Sequence, residues 1–226
     1  MKRFDSLGWS LLAALLFAVG CSGGVPAPGR TVESRVEALP YYGDAAFTPR
    51  WWAPGSDSLR GFHRIPDFAL LNQDGDTLRQ ADLSGKIYVA DFFFTICPGI
   101  CPQMTSNMAV LQERFATDES VRFLSHSVMP RHDSVPVLAD YAERNGVISG
   151  KWHLLTGARE VIYELGRRAY FVEEDQGLKA DPEDFLHTEN FVLVDGEGFI
   201  RGIYNGLNAN DIDQLTADIE TLKNAS

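Results

Sequence analysis

The chain has 226 residues, enough for one sizeable domain with appendages, and its 45% hydrophobic and 23% charged residues are ordinary for a globular protein. A net charge of −11 argues against a nucleic-acid binder, because phosphate recognition needs clustered Lys and Arg. The same acidity serves solubility and, more weakly, attracts cations or basic partners.

Lys2 and Arg3 precede an apolar run, Leu7 to Val19, that is too short to span a bilayer comfortably. Ala18-Val19-Gly20-Cys21 closes it. Small residues before a cysteine resemble the lipobox of bacterial lipoproteins, where cleavage leaves that cysteine as the lipidated N-terminus. Ala18 stands where Leu is commoner. Residues 1–20 are therefore read as a lipoprotein signal peptide and Cys21 as the lipidation site. An ordinary signal peptide with a nearby cut, or an uncleaved anchor, are the alternatives. The expected location is the bacterial cell envelope, lipid-anchored, with the domain facing the periplasm or the outside.

Residues 21–62 read as a tether and an extended arm. Ser22 to Gly29 is rich in Gly and Pro and has little to bury. Tyr41, Tyr42, Phe47, Trp51 and Trp52 follow, interleaved with Pro40, Pro49 and Pro54. These aromatics are too many for a free linker, so the arm is expected to lie against the domain; a membrane or partner contact is the rival reading.

The domain is expected over residues 63–226. Ala69 to Leu71 and Asp74 to Leu78 read as a hairpin around Gly75. Lys86 to Phe94 is a nearly unbroken apolar run of strand length, as for a central strand covered on both faces. A helix follows from Pro102 to Phe115, with Met104, Met108, Leu111 and Phe115 at helical spacing. Val121 to Val128 is the next strand. Ser134 to Asn145 is a helix with Ser134 as N-cap and Gly146 past its end. Trp152 to Leu155 is a short strand and Ala158 to Arg167 a third helix. Glu173 to Leu186 is an acidic loop. Two strands, Phe191 to Val194 and Phe199 to Tyr204, flank an Asp-Gly turn, and Asn210 to Lys223 is a last amphipathic helix. This alternation is an α/β layout: a central mixed β-sheet flanked by helices, with an additional N-terminal hairpin. A dithiol between the first central strand and its helix points to a thioredoxin-like fold.

That dithiol, Cys97-Pro98-Gly99-Ile100-Cys101, is the chain's strongest chemical signal. Pro102 suits a first helical turn, which puts Cys101 at the helix start and Cys97 in the turn before it. Both sulfurs then converge on a helix N-terminus, whose dipole and free N–H groups favour thiolates. Thiolates are nucleophiles and soft metal ligands. A plain stabilising disulfide is the bland alternative, but its loop is too short to gain much from chain entropy. Two thiolates alone do not fill a copper or zinc site, and two Cys with one His make a plausible copper set. Of His63, His126, His132, His153 and His187, the last stands out: it ends the acidic loop and precedes a strand. Met104 and Met108 are read as core residues.

The run Asp91 to Pro102, then Phe123 to Pro130, then Trp152 to Gly157, then His187 to Gly196 resembles the SCO/SenC family, in order from about Ile65 to the C-terminus. The resemblance implies a membrane-tethered thioredoxin-like fold. It also implies copper, bound by the two cysteines of a CxxxC motif and one downstream histidine: Cys97, Cys101 and His187. The implied function is a metallochaperone that delivers copper for assembly of the cytochrome c oxidase copper centre. Its partner would be the copper-bearing subunit or another copper protein, together with a thiol reductant. One departure is Val128-Met129-Pro130, where the family usually has Val-Asp-Pro; Met129 is read as a packing replacement.

The rival reading is an extracytoplasmic thiol–disulfide oxidoreductase in which Cys97 attacks and Cys101 resolves. The CxxxC spacing, His187, and the absence of a proline beside His187 favour metal. A peroxidase is weaker still, since Thr95 alone does not make a peroxidatic site.

Overall fold

The computed structural model describes residues 32–172 and 188–225. The elements run β1 (Ala69–Leu71), β2 (Thr77–Arg79), β3 (Ile87–Phe93), α1 (Cys101–Arg114), β4 (Val121–Ser127), α2 (Val135–Asn145) and β5 (Trp152–Leu155). Then come α3 (Arg159–Glu164), a π-helical turn (Leu165–Ala169), β6 (Asn190–Val194), β7 (Ile200–Asn205) and α4 (Ala209–Asn224).

Five strands form one mixed sheet in the order β5-β4-β3-β6-β7, with β3 parallel to β4 and antiparallel to β6. β3 is central, and every residue from Ile87 to Phe93 is buried. Strand periodicity divides these side chains between two cores. Ile87, Val89 and Phe93 pack with Met104, Met108 and Leu111 of α1 and with Leu215 and Ile219 of α4. Tyr88, Ala90 and Phe92 pack with Leu70 and Leu78 of the hairpin and with Ile162, Leu165 and Tyr170. Each fully buried aliphatic or aromatic side chain contributes about 1.5–3 kcal/mol of transfer free energy. An unbroken apolar run in the middle of the sheet is the consequence of burial on both faces.

The hairpin closes at Gly75, whose φ of 84° favours glycine. Asn72 accepts N–H groups from Asp74 and Asp76 through its side-chain oxygen, which makes the turn. β1 is tied to the sheet's far edge by reciprocal backbone bonds between Leu71 and Thr156, both 2.9 Å.

The arm adds to the opposite edge. Tyr42 N–H donates to the Ile200 carbonyl at 3.0 Å. The Arg201 guanidinium donates to the carbonyls of Leu39 (2.6 Å) and Pro40 (3.0 Å) and to Asp195 Oδ2 (2.8 Å), while lying 3.9 Å from the Tyr41 ring centroid. Tyr41 meets Phe199 edge-on at 5.3 Å, and Trp52 meets Phe62 at 4.9 Å. Tyr41, Trp52 and Phe62 thus form a small satellite core with Leu59 and Phe199, Tyr42 packs on the second core of the sheet, and Trp51 is left 60% exposed.

Candidate metal centre

β3 and β4 leave the sheet side by side. Their register pairs Phe93 with Ser127, and the ladder ends on Val128 N–H donating to the Phe93 carbonyl at 2.9 Å. The two following turns are therefore neighbours, and the dithiol lies on the first of them.

α1 begins at Cys101, with Ile100 at its N-cap and Pro102 in its first turn. No side chain caps this end. The N–H groups of Gly99, Ile100 and Cys101 instead turn toward the Cys97 sulfur. Cys97 is half-buried, Cys101 is 5% exposed, and both are free thiols. Burial raises the Cys97 thiol, but the hydrogen bond from Cys101 and those from the three backbone N–H groups outweigh it. The net pKa lies below the ordinary thiol value. Cys101 goes the other way. Burial, the bond it gives to Cys97, and the Cys97 and Asp91 charges push it up to about 12. Two thiolates favoured alike is the expectation from a helix N-terminus; the structure corrects it to an unequal pair, Cys97 lowered and Cys101 raised, because Cys101 belongs to the hydrophobic core.

Asp133 organises the turns. It is fully buried, and its carboxylate accepts from Ser127 Oγ (2.5 Å), Thr95 N–H (3.2 Å), Thr95 Oγ1 (2.5 Å) and His132 Nδ1 (2.8 Å). Thr95 sits two residues before Cys97. A carboxylate on the second turn thereby holds the first one in place. Sequence reasoning missed the role of Asp133; the consecutive polar residues His132-Asp133-Ser134 after a buried strand are the signal that could have shown it.

Behind the dithiol lies Asp91. It shares the α1 face of β3, is 2% exposed, and has Oδ1 without a hydrogen-bond partner. Burial lifts its pKa to about 7. On the opposite face His126 is fully buried, stacked on Phe92 at 4.9 Å, with Nε2 unpartnered. Burial depresses it to about 4, so it is a neutral core residue. His153 is buried, with Nδ1 3.4 Å from Asn72. His63 bonds the Ala169 carbonyl at 2.8 Å. Met104 and Met108 are fully buried in the core, as their spacing predicts.

His187, Cys21 and the acidic loop from Glu173 to Leu186 lie outside the described residues. Among the described residues, no three His, Cys, Asp or Glu side chains are grouped to hold a metal ion. No helix of the described residues is long and apolar enough to cross a membrane.

The SCO1/SenC family model matches residues 57–224. The chain belongs to the SCO1/SenC family. It is 29% identical over 163 residues to the SCO1 protein homolog of Bacillus subtilis, covering 70% of this chain and 82% of that one. It spans a smaller share of the mitochondrial relatives, 57% of the bovine SCO2 homolog and 44% of the human SCO1 homolog. Among solved structures, a SCO1/SenC family lipoprotein from Bacillus anthracis superposes with a TM-score of 0.62 at 30% identity, over 71% of this chain and 95% of that one. BsSco, a member of the Sco family of cytochrome c oxidase assembly proteins in which a disulfide switch was identified, gives 0.60 at 30%, over 71% and 93%. Arabidopsis thaliana ScoI, solved with copper bound, gives 0.55 at 26%, over 70% and 98%. The fold is thioredoxin-like, as the dithiol's place between β3 and α1 implies.

Proposed function

We propose that this SCO1/SenC protein is a membrane-tethered copper metallochaperone, with Cys97, Cys101 and His187 as the ligands of its cargo. The observation that carries the reading is the dithiol at the head of α1: Cys97 in the turn before the helix, its pKa lowered in part by neighbouring backbone N–H groups, and Cys101 at the first helical position. Thiolate sulfur is a soft donor that selects copper, and imidazole completes a set copper accepts. The copper-bound ScoI of Arabidopsis thaliana supports the choice of metal. The half-exposed Cys97 leaves the ion open to an incoming ligand, which suits transfer to a partner. BsSco's place among cytochrome c oxidase assembly proteins supports the copper-bearing subunit of that oxidase as recipient. The Bacillus anthracis lipoprotein supports Cys21 as the lipid anchor and the cell envelope as location.

A second reading rests on the asymmetry of the pair. A half-exposed, lowered Cys97 beside a buried, raised Cys101 is the order of an attacking and a resolving thiol. The disulfide switch of BsSco supports it. An insulin-reduction assay on copper-free protein separates the two. Rapid turnover favours the oxidoreductase, and stoichiometric copper binding with slow turnover favours the chaperone.

A further inference from the structure

The turn after β4 holds a second pair of metal-binding side chains that the dithiol reading leaves unused. Met129 and His132 are three residues apart, and the turn between them closes on His132 N–H donating to the Met129 carbonyl at 2.9 Å. Both line one cavity of about 440 Å³, whose opposite wall is Arg159 and Tyr163 of α3.

His132 is held as a metal-binding imidazole is held. Its Nδ1 lies 2.8 Å from Asp133 Oδ1 and 3.4 Å from Thr95 Oγ1. Asp133 also accepts from Ser127 and from the Thr95 N–H and hydroxyl, so its oxygens act as acceptors and the imidazole proton sits on Nδ1. That leaves the Nε2 lone pair free, on a side chain 42% exposed and without a partner among the described residues. A carboxylate that fixes the tautomer and the ring orientation is the usual outer-shell device of a histidine ligand. Met129 contributes a thioether, the softest donor besides thiolate.

The donor pair, rather than the charges around the cavity, narrows the ion. Arg131, Arg159 and Glu160 line it, and the Arg159 guanidinium is stacked 3.9 Å from the Tyr163 ring. A thioether–imidazole pair there suits Cu(I) rather than Cu(II) or Zn(II).

We propose that Met129 and His132 form an auxiliary Cu(I) site beside the dithiol, through which the ion enters or leaves Cys97 and Cys101. The choice of copper rests on the chaperone reading. Thr95 joins the two places, since it precedes Cys97 by two residues and shares Asp133 with His132. The transfer is a ligand exchange: a copper–sulfur bond to a cysteine breaks as bonds to the thioether and imidazole form, and Cu(I) keeps its electron count.

The test is an anaerobic Cu(I) titration of the full chain against a chromophoric Cu(I) chelator. The wild type is expected to take up one ion tightly and a second weakly. Cys21→Ser/Cys97→Ser/Cys101→Ser is expected to keep the weak ion, and adding Met129→Leu or His132→Gln to lose it. A thiol-free variant that binds no Cu(I), beside a wild type that binds one, overturns the auxiliary site and leaves the chaperone reading standing. A wild type that binds no more than the thiol-free variant overturns the chaperone reading instead. Should the thiol-free variant not fold, imidazole nitrogen NMR of the wild type decides. The Nε2 signal of His132 moves with the second equivalent of Cu(I), and a signal that stays fixed overturns the site.

Discussion

Thr95 is gripped at two points by Asp133: its N–H donates to Oδ2 at 3.2 Å and its hydroxyl to Oδ1 at 2.5 Å. The residue that opens the dithiol turn is thereby bound to the turn after β4, which the parallel register of β3 and β4 brings alongside. The dithiol geometry depends on a carboxylate 32 residues after Cys101 in the chain.

Asp133→Ala strands the Thr95 N–H and the Ser127 hydroxyl, both of which bond this carboxylate. A stranded buried donor costs about 1–3 kcal/mol, so a loss of about 3 kcal/mol is expected in urea denaturation. Thr95→Val removes one hydroxyl bond and should cost about 1 kcal/mol. Equal stability of Asp133→Ala and wild type would contradict the role given to the carboxylate.

Alkylation should distinguish the thiols. Cys97, lowered by its N–H donors, is expected to react with iodoacetamide on the order of tenfold or more faster than Cys101 near neutral pH. Peptide mapping after limited reaction reads the ratio. Preferential labelling of Cys101 would reverse the assignment of Cys97 as the more reactive thiol.

Much of this architecture is legible in the residues themselves. The apolar run of β3, the helical spacing of Met104, Met108 and Leu111, and Gly146 in a left-handed conformation after α2 all follow from local pattern. Other features depend on tertiary packing. Local spacing predicts a helix running from Ala158 to Arg167, but the α-helix ends at Glu164 and a π turn follows, with Tyr170 N–H donating to Leu165 at 2.8 Å. Tyr170 is fully buried and lies 3.3 Å, hydroxyl to hydroxyl, from Tyr88. Ser134 stands at the N-cap position of α2 without a side-chain capping bond. The unequal thiols were illegible for the same reason: burial of Cys101 comes from α1 packing on the sheet, which spacing does not reveal.

Asp91 and His126 should oppose each other in pH dependence. Asp91 titrates near 7 when folded and near 3.8 when unfolded, so the folded chain holds the extra proton between those values and stability falls as pH rises through them. His126 titrates near 4 folded and near 6.5 unfolded, so the unfolded chain holds the extra proton and stability rises over that range. Between about pH 4 and 6.5 the two slopes offset. Asp91→Asn should expose the rise alone, and His126→Phe the fall alone. Denaturation midpoints across that range give the slopes; variants that keep the wild-type profile would refute the account.

The arm should depend on Arg201. Its guanidinium bonds the Leu39 and Pro40 carbonyls and Asp195 from a side chain 9% exposed. Hydrogen bonds to charged groups contribute about 1.5–3 kcal/mol, so Arg201→Met should cost about 3 kcal/mol and expose the arm to proteolysis. An arm equally resistant in both proteins would show that the aromatic contacts suffice.

Copper titration of the reduced chain, under anaerobic conditions and with His187→Ala in parallel, tests the central proposal most directly. The account predicts one Cu(II) bound by the wild type, with a sulfur-to-copper charge-transfer band. Losing a direct ligand in His187→Ala should cost at least the 10–100-fold, roughly, that follows loss of an outer-shell partner. Disulfide exchange at Cys97 should change little. Unchanged Cu(II) affinity in His187→Ala would contradict the three-ligand site.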